Sequence, residues 1–308
     1  MLKKNLGFSN TLVSELCLGT MYFGTKVNKI NSFDILDAFV DAGGTFIDTA
    51  NNYCYWIGGT GNESEELLAK WITERKNRER IIVASKVGAR PLDPRESVLE
   101  FEPLIKNSII NAVNDSLERL NTDYLDMCYI HADFKEYPLE ERLEAIELLE
   151  KQGKIRFKGC SNITTDRFLE SEIINQKNQF SSFQSVQQKF SYLLPENIND
   201  NDTLKFLDKE LISIAEQRNV SLLAYSVLLS GAYSRDWNEI PIIYQCSENK
   251  NRFEKMKYHA LELGCTRSQW VLRWVMNQSD KIIPLISASS IEQLLENIGS
   301  LSFQLELD

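Results

Sequence analysis

Tyr53 closes the stretch F-I-D-T-A-N-N-Y, residues 46–53, in which an apolar strand runs into Asp48 and a turn-like N-N precedes the phenol. Two more apolar runs also stop at a polar group: I-I-V-A-S-K-V presents Lys86, and Y-L-D-M-C-Y-I-H presents His131. A phenol, an ammonium, a carboxylate and an imidazole gathered in one place form a general acid set, able to protonate an oxygen on which negative charge develops. Each residue alone has an ordinary reading: a strand cap, a surface aromatic, a solvated strand end, a satisfied histidine. The chemistry therefore depends on whether the fold brings the four together.

The elements that must do so read as alternating strands and helices. An apolar strand over Glu15 to Gly19 precedes a helix over 32–42, ended by Gly43 and Gly44. T-F-I-D-T is the second strand, followed by a glycine-rich loop into a helix capped by Asn62 or Ser64. The third strand spans 81–87, and residues 88–100, rich in proline and charge, read as a connection long enough to hold a mobile segment over a site. Helices over 103–119, 138–152, 165–175 and 203–218 alternate with strands at Y-L-D-M-C-Y-I-H, 154–162, 185–187 and V-S-L-L-A-Y-S. After a loose stretch beyond Ser226, helical periodicity returns at 251–263 and 267–277. K-I-I-P-L-I is the last strand, and Ser289 or Ser290 caps the helix after it.

Short strands without apolar/polar alternation are those covered on both faces, and eight such units in succession close into a barrel. The expectation is an α/β fold, a (β/α)8 TIM barrel in a single domain over residues 1–308. A doubly wound sheet is the competitor, but no G-x-G-x-x-G follows any strand. Chemistry in a barrel sits at the carboxyl ends of the strands. That rule singles out Asp48, Lys86, His131, Ser161, Asn162, Gln187, Tyr225 and Ser226.

Composition sets outer limits. With 308 residues, 25% charged and 43% hydrophobic, the chain has the make-up of a folded globular protein. A net charge of -10 argues against nucleic acid and anionic membranes as partners. No apolar run suits a signal peptide or a membrane span, so a soluble, cytoplasmic protein is expected. Six scattered cysteines without C-x-x-C, beside only two histidines, read as free thiols and not as a metal site.

The segments D-T-A-N-N-Y, A-S-K, Y-I-H, G-C-S-N, V-Q-Q-K-F-S, A-Y-S-V-L and P-L-I-S-A-S-S-I-E-Q-L-L-E-N, in this order, resemble the aldo-keto reductase family over nearly the whole chain. The resemblance implies NAD(P)H lying across the top of the barrel and a catalytic group of Asp48, Tyr53, Lys86 and His131. Reduction of an aldehyde or ketone needs a proton on the carbonyl oxygen. Tyr53 can supply it, an adjacent Lys86 is expected to lower the phenol pKa, and Asp48 to keep Lys86 charged. His131 is expected to donate to the substrate oxygen and orient the carbonyl. By the same resemblance Ser161, Asn162 and Gln187 hold the nicotinamide carboxamide, and Tyr225 stacks on the ring. Ser226 and Leu228 wrap the pyrophosphate, while Gly19, Thr20 and Met21, with Asp48, line the trough. Ser287, Ser289, Gln293, Glu296 and Asn297 stand at the adenosine end.

Two departures from the family pattern matter. Many members carry a cation gripping the adenosine 2'-phosphate where this chain has Ser287 and Gln293, so NADP(H) is the first expectation and NAD(H) the alternative. C-Y-W-I-G-G-T-G-N is inserted after Tyr53, and Tyr55 and Trp56, met by Tyr22 and Phe23, are expected to wall the pocket for a small carbonyl substrate. A monomer or weak homo-oligomer is expected. A cofactor-sensing regulatory subunit, and a lyase or aldolase in which Lys86 forms a Schiff base, are the alternative functions.

Overall fold

The computed structural model describes residues 1–92, 100–196 and 203–305. Strands β1 (Lys3–Asn5) and β2 (Leu12–Ser14) form an antiparallel hairpin ahead of the barrel, a feature with no counterpart in the sequence reading. The barrel strands are β3 (Cys17–Gly19), β4 (Phe46–Asp48), β5 (Ile82–Val87), β6 (Leu125–Ile130), β7 (Ile155–Ser161), β8 (Ser185–Lys189), β9 (Ser221–Tyr225) and β10 (Ile282–Ile286). They close in the order β10-β3-β4-β5-β6-β7-β8-β9, all parallel, as expected of a (β/α)8 barrel.

Side chains alternate across the barrel wall. Leu18, Ile47, Val83 and Cys128 join the large core beneath the helices, while Cys17, Phe46, Ala84, Met127 and Tyr129 fill a second cluster inside. The hairpin contributes Leu6 and Val13 to that inner cluster, so its few apolar residues stopper the barrel. Tyr129 needs room there: a Cβ on Gly159 would lie 2.5 Å from its ring. The glycine in F-K-G-C-S-N is therefore a packing requirement.

The helices are α1 (Lys29–Asp41), α2 (Glu63–Arg75), α3 (Lys106–Leu120), α4 (Leu139–Lys151), α5 (Thr165–Asn178), α6 (Lys209–Arg218), α7 (Ser247–Glu262), α8 (Arg267–Met276) and α9 (Ile291–Gly299). Several helix starts correct the sequence reading: α1 begins at Lys29 where 32 was expected, α3 at Lys106 where 103 was expected, and α7 at Ser247 where 251 was expected. α6 begins at Lys209, six residues later than the 203 expected: Asp208 caps it by accepting from Leu211 N at 2.7 Å, and Phe206 is paired with Lys189 beside the barrel. Asn62 precedes α2 but its side chain makes no cap bond; its Oδ1 accepts from Arg90 instead. Ser290 does cap α9, as expected. Most of the connection read as a mobile segment, residues 93–99, lies outside the described residues. Among the described residues no helix is long and apolar enough to cross a membrane.

Candidate active site

Asp48 ends β4 and Lys86 lies one residue before the end of β5, so the two side chains emerge side by side at the carboxyl mouth. Lys86 Nζ donates to Asp48 Oδ2 at 2.5 Å, to Thr49 O at 2.8 Å and to Tyr53 Oη at 2.5 Å. Tyr53 Oη lies 3.2 Å from the same Asp48 oxygen. Asp48 and Lys86 are fully buried and Tyr53 is 8% exposed, so these contacts act with little screening. Behind them, Thr20, Thr49 and Ser64 join their hydroxyls at 2.7 and 2.8 Å, and Thr20 also donates to Asp48 O.

This environment reverses one expectation. The Tyr53 phenol is pushed well above its ordinary value, by burial first and then by the Asp48 carboxylate, even with the Lys86 ammonium in contact. Burial is the largest cause of the rise, and the Asp48 carboxylate adds to it. Lys86 is itself drawn below the lysine range by burial, with Asp48 opposing. Burial, and then the Lys86 charge, push His131 down to about 3, so its ring is neutral at ordinary pH.

His131 follows β6, and its ring meets Tyr53 edge-on at 6.4 Å between centroids. Its buried Nδ1 has no hydrogen-bond partner. An orphaned buried N–H is rarer than an orphaned acceptor, which favours the proton on Nε2, the nitrogen free to serve as a donor.

The other rim residues follow around the barrel. Ser161 ends β7; Asn162, next to it, donates from Nδ2 to His131 O at 2.9 Å and accepts from Tyr225 Oη at 2.6 Å. Gln187 on β8 donates to Asp48 Oδ1 at 2.8 Å, which ties it to the catalytic candidates as well as to the neighbouring Ser161. Tyr225 ends β9 half-buried, and Ser226 after it is exposed with φ 55°. Leu228 and Met21 are partly exposed on the same rim. Gly19 is buried, its Cα hydrogens facing Leu285. Thr20 is fully buried with its hydroxyl committed inward, so its side chain does not line a trough.

At the start of α9, Ser289 donates from N and Oγ to Gln293 Oε1, both at 2.8 Å. Asn297 Nδ2 holds Ser287 O at 3.1 Å, and Gln269 Nε2 holds Glu296 O at 3.0 Å. Gln293 thus folds back on its own loop. In the inserted turn, Trp56 is 46% exposed and packs edge-on against Tyr53 and Tyr55. Phe23 is 1% exposed and belongs to the core, not to a pocket wall.

The structure is a closed parallel barrel carrying a buried Lys-Asp-Tyr group at its carboxyl mouth. The aldo/keto reductase family profile matches residues 15–308. The chain is 27% identical to the uncharacterized oxidoreductase YrpG of Bacillus subtilis, covering 98% of this chain and 91% of that one. It is 25% identical to an aryl-alcohol dehydrogenase of Pestalotiopsis microspora, over 95% of this chain and 76% of that one. Its fold superposes on an aldo-keto reductase from Klebsiella pneumoniae in complex with NADPH with a TM-score of 0.75, at 26% identity, over 99% of this chain and 92% of that one. The chain belongs to the aldo/keto reductase family. Membership carries the general activity, oxidoreduction of small carbonyl compounds.

Proposed function

We propose that this chain reduces an aldehyde or ketone to the alcohol, with Tyr53 as proton donor, on a single barrel domain that holds NADPH along its carboxyl-end rim. The observation that carries the reading is the 2.5 Å contact between Lys86 Nζ and the hydroxyl of a buried Tyr53. Burial keeps the phenol protonated, so that it gives up its proton only as negative charge develops on the carbonyl oxygen. The ammonium beside it stabilises the phenolate left once the proton has gone. Neutral His131 donates to the carbonyl oxygen and sets its direction toward Tyr53.

The rim suits the cofactor by its donor set. Ser161, Asn162 and Gln187 are buried amides and a hydroxyl at adjacent strand ends, fit for a carboxamide, and Tyr225 offers a half-buried ring beside them. NADPH when bound supplies the hydride. Fluorescence of the purified protein should change on adding NADPH, and NADPH should be oxidised in the presence of an aldehyde panel. Binding with no oxidation of any carbonyl would favour the regulatory subunit. A Schiff-base lyase is disfavoured, because three acceptors enclose Lys86 Nζ and leave no lone pair to attack carbon.

NADPH is the proposed cofactor, with weak discrimination. Ser289 already donates to Gln293, and Glu292, exposed and held low by its hydrogen bond to Ser290, adds negative charge at the helix start. The Kd ratio between NADH and NADPH should stay below about tenfold, or ~1.4 kcal/mol. A hundredfold preference measured by fluorescence titration would mean that a cation grips the 2'-phosphate.

The exposed Trp56 face beside Tyr53 favours a substrate with an aromatic body. The name of the aryl-alcohol dehydrogenase relative points the same way. Trp56→Ala should lower kcat/KM for aromatic aldehydes by about tenfold, the loss of roughly one stacking contact, and leave short aliphatic aldehydes nearly unaffected. Equal losses for both classes would remove Trp56 from substrate recognition.

A further inference from the structure

Arg90 lies four residues beyond Lys86, outside the group assigned above. Its Nη1 donates to Asn51 O at 2.7 Å and to Asn62 Oδ1 at 2.8 Å, and its Nη2 donates to Thr60 O at 2.9 Å. Asn51 begins the loop that carries Tyr53; Thr60 and Asn62 end it. One guanidinium therefore joins the two feet of that loop.

The feet are pressed together independently of the arginine. Gly61 has φ 88°, and a Cβ there would stand 3.2 Å from Asn52 Cα. The first foot is also tied to the end of β5: Asn51 N donates to Lys86 O at 3.1 Å, and Asn52 Nδ2 to Ala89 O at 2.6 Å. Inside the loop Cys54, directly after Tyr53, takes a left-handed conformation with φ 69°. A residue other than glycine stays there only when its surroundings hold it. Glu63 also grips the second foot, accepting from Thr60 N at 2.6 Å and from Gly61 N at 3.0 Å, and in the first foot Asn51 Nδ2 donates to Glu102 Oε2 at 3.2 Å.

We infer that Arg90 is a positioning residue for Tyr53: it clamps the feet of the loop and so holds the phenol at hydrogen-bond distance from Lys86. The inference rests on the proposed reductase reading. A planar fork with several fixed donors can bind two carbonyls and an amide oxygen at once, whereas an ammonium on a flexible stem cannot reproduce that set. Loss of the clamp lets Tyr53 drift, and misplacement by about 1 Å can cost up to ~100-fold in rate.

The test compares Arg90→Gln and Arg90→Lys with the unaltered protein. Arg90→Gln should lower kcat for an aldehyde by about ten- to a hundredfold, with KM for the aldehyde and Kd for NADPH nearly unchanged; Arg90→Lys should fall between. Amide hydrogen exchange over residues 51–61 should quicken in Arg90→Gln while the rest of the barrel exchanges as before. Wild-type kcat in Arg90→Gln, or unchanged exchange in that loop, overturns the inference. So does a loss of kcat and NADPH affinity together with a lowered Tm, which would make Arg90 a folding residue only. If the unaltered protein reduces no carbonyl, the reductase reading fails, and exchange in the loop still decides whether the clamp exists.

Discussion

Tyr53→Phe is expected to lower kcat for carbonyl reduction by about 10³-fold, the middle of the range for removing a positioned general acid, while NADPH binds almost as before. The ring stays in its edge-on contacts with Trp56 and His131, and only the hydroxyl between Lys86 and Asp48 is lost. Single-turnover reduction and a fluorescence titration separate the two effects. The pH profile of the unaltered enzyme gives an independent check. Tyr53 is raised well above 10 and His131 lies at about 3, so both keep their protons in the same state between those limits. Reduction should therefore be flat from acid pH upward until Lys86, drawn below the lysine range by burial, loses its proton. Alcohol oxidation, which needs the phenolate as base, should rise with pH over that range. Full turnover in Tyr53→Phe, or a reduction rate that falls with a midpoint near neutrality, would assign the proton to another group.

The positions of Asp48, Lys86 and His131 were legible because each stands where an apolar run stops, and a parallel barrel delivers such residues to one mouth. The arrangement also divides the mouth. β4, β5 and β6 are neighbours and carry the acid group, while β7, β8, β9, β10 and β3 form the remaining arc and carry the residues proposed for the cofactor. Gln187 reaches from one arc to the other by donating to Asp48.

What was not legible depends on contacts between distant segments. Leu204, Phe206, Leu207 and Leu211 have helical spacing, but Lys205 O accepts from Lys189 N and Leu207 N donates to Lys189 O before Asp208 caps the helix, so the helix starts late. Tyr22 and Phe23 are adjacent in the sequence, yet only Phe23 turns into the core. The direction of the phenol pKa was not legible because burial, its largest cause, appears only in the fold, where the Asp48 oxygen 3.2 Å from the hydroxyl adds to it. Arg90 sits in G-A-R-P, a stretch with no motif, and only the folded loop brings three acceptors to it.

Lys86→Met should abolish turnover and destabilise the fold by about 3–5 kcal/mol, the usual consequence of removing one partner from a buried ion pair. The substitution fills similar space but leaves the fully buried Asp48 carboxylate with the Gln187 amide and the Tyr53 hydroxyl as its side-chain donors. Neither carries charge. Adding Asp48→Asn to the same chain removes the uncompensated charge, so the double variant should regain most of the lost stability in urea unfolding at pH 7. It should not regain turnover, because no cation then stabilises the phenolate that proton donation leaves at Tyr53. This split separates the two roles of the pair. A double variant no more stable than Lys86→Met would show that packing, not charge, was lost, and turnover within tenfold of the unaltered enzyme in either variant would remove Lys86 from the proton-transfer scheme.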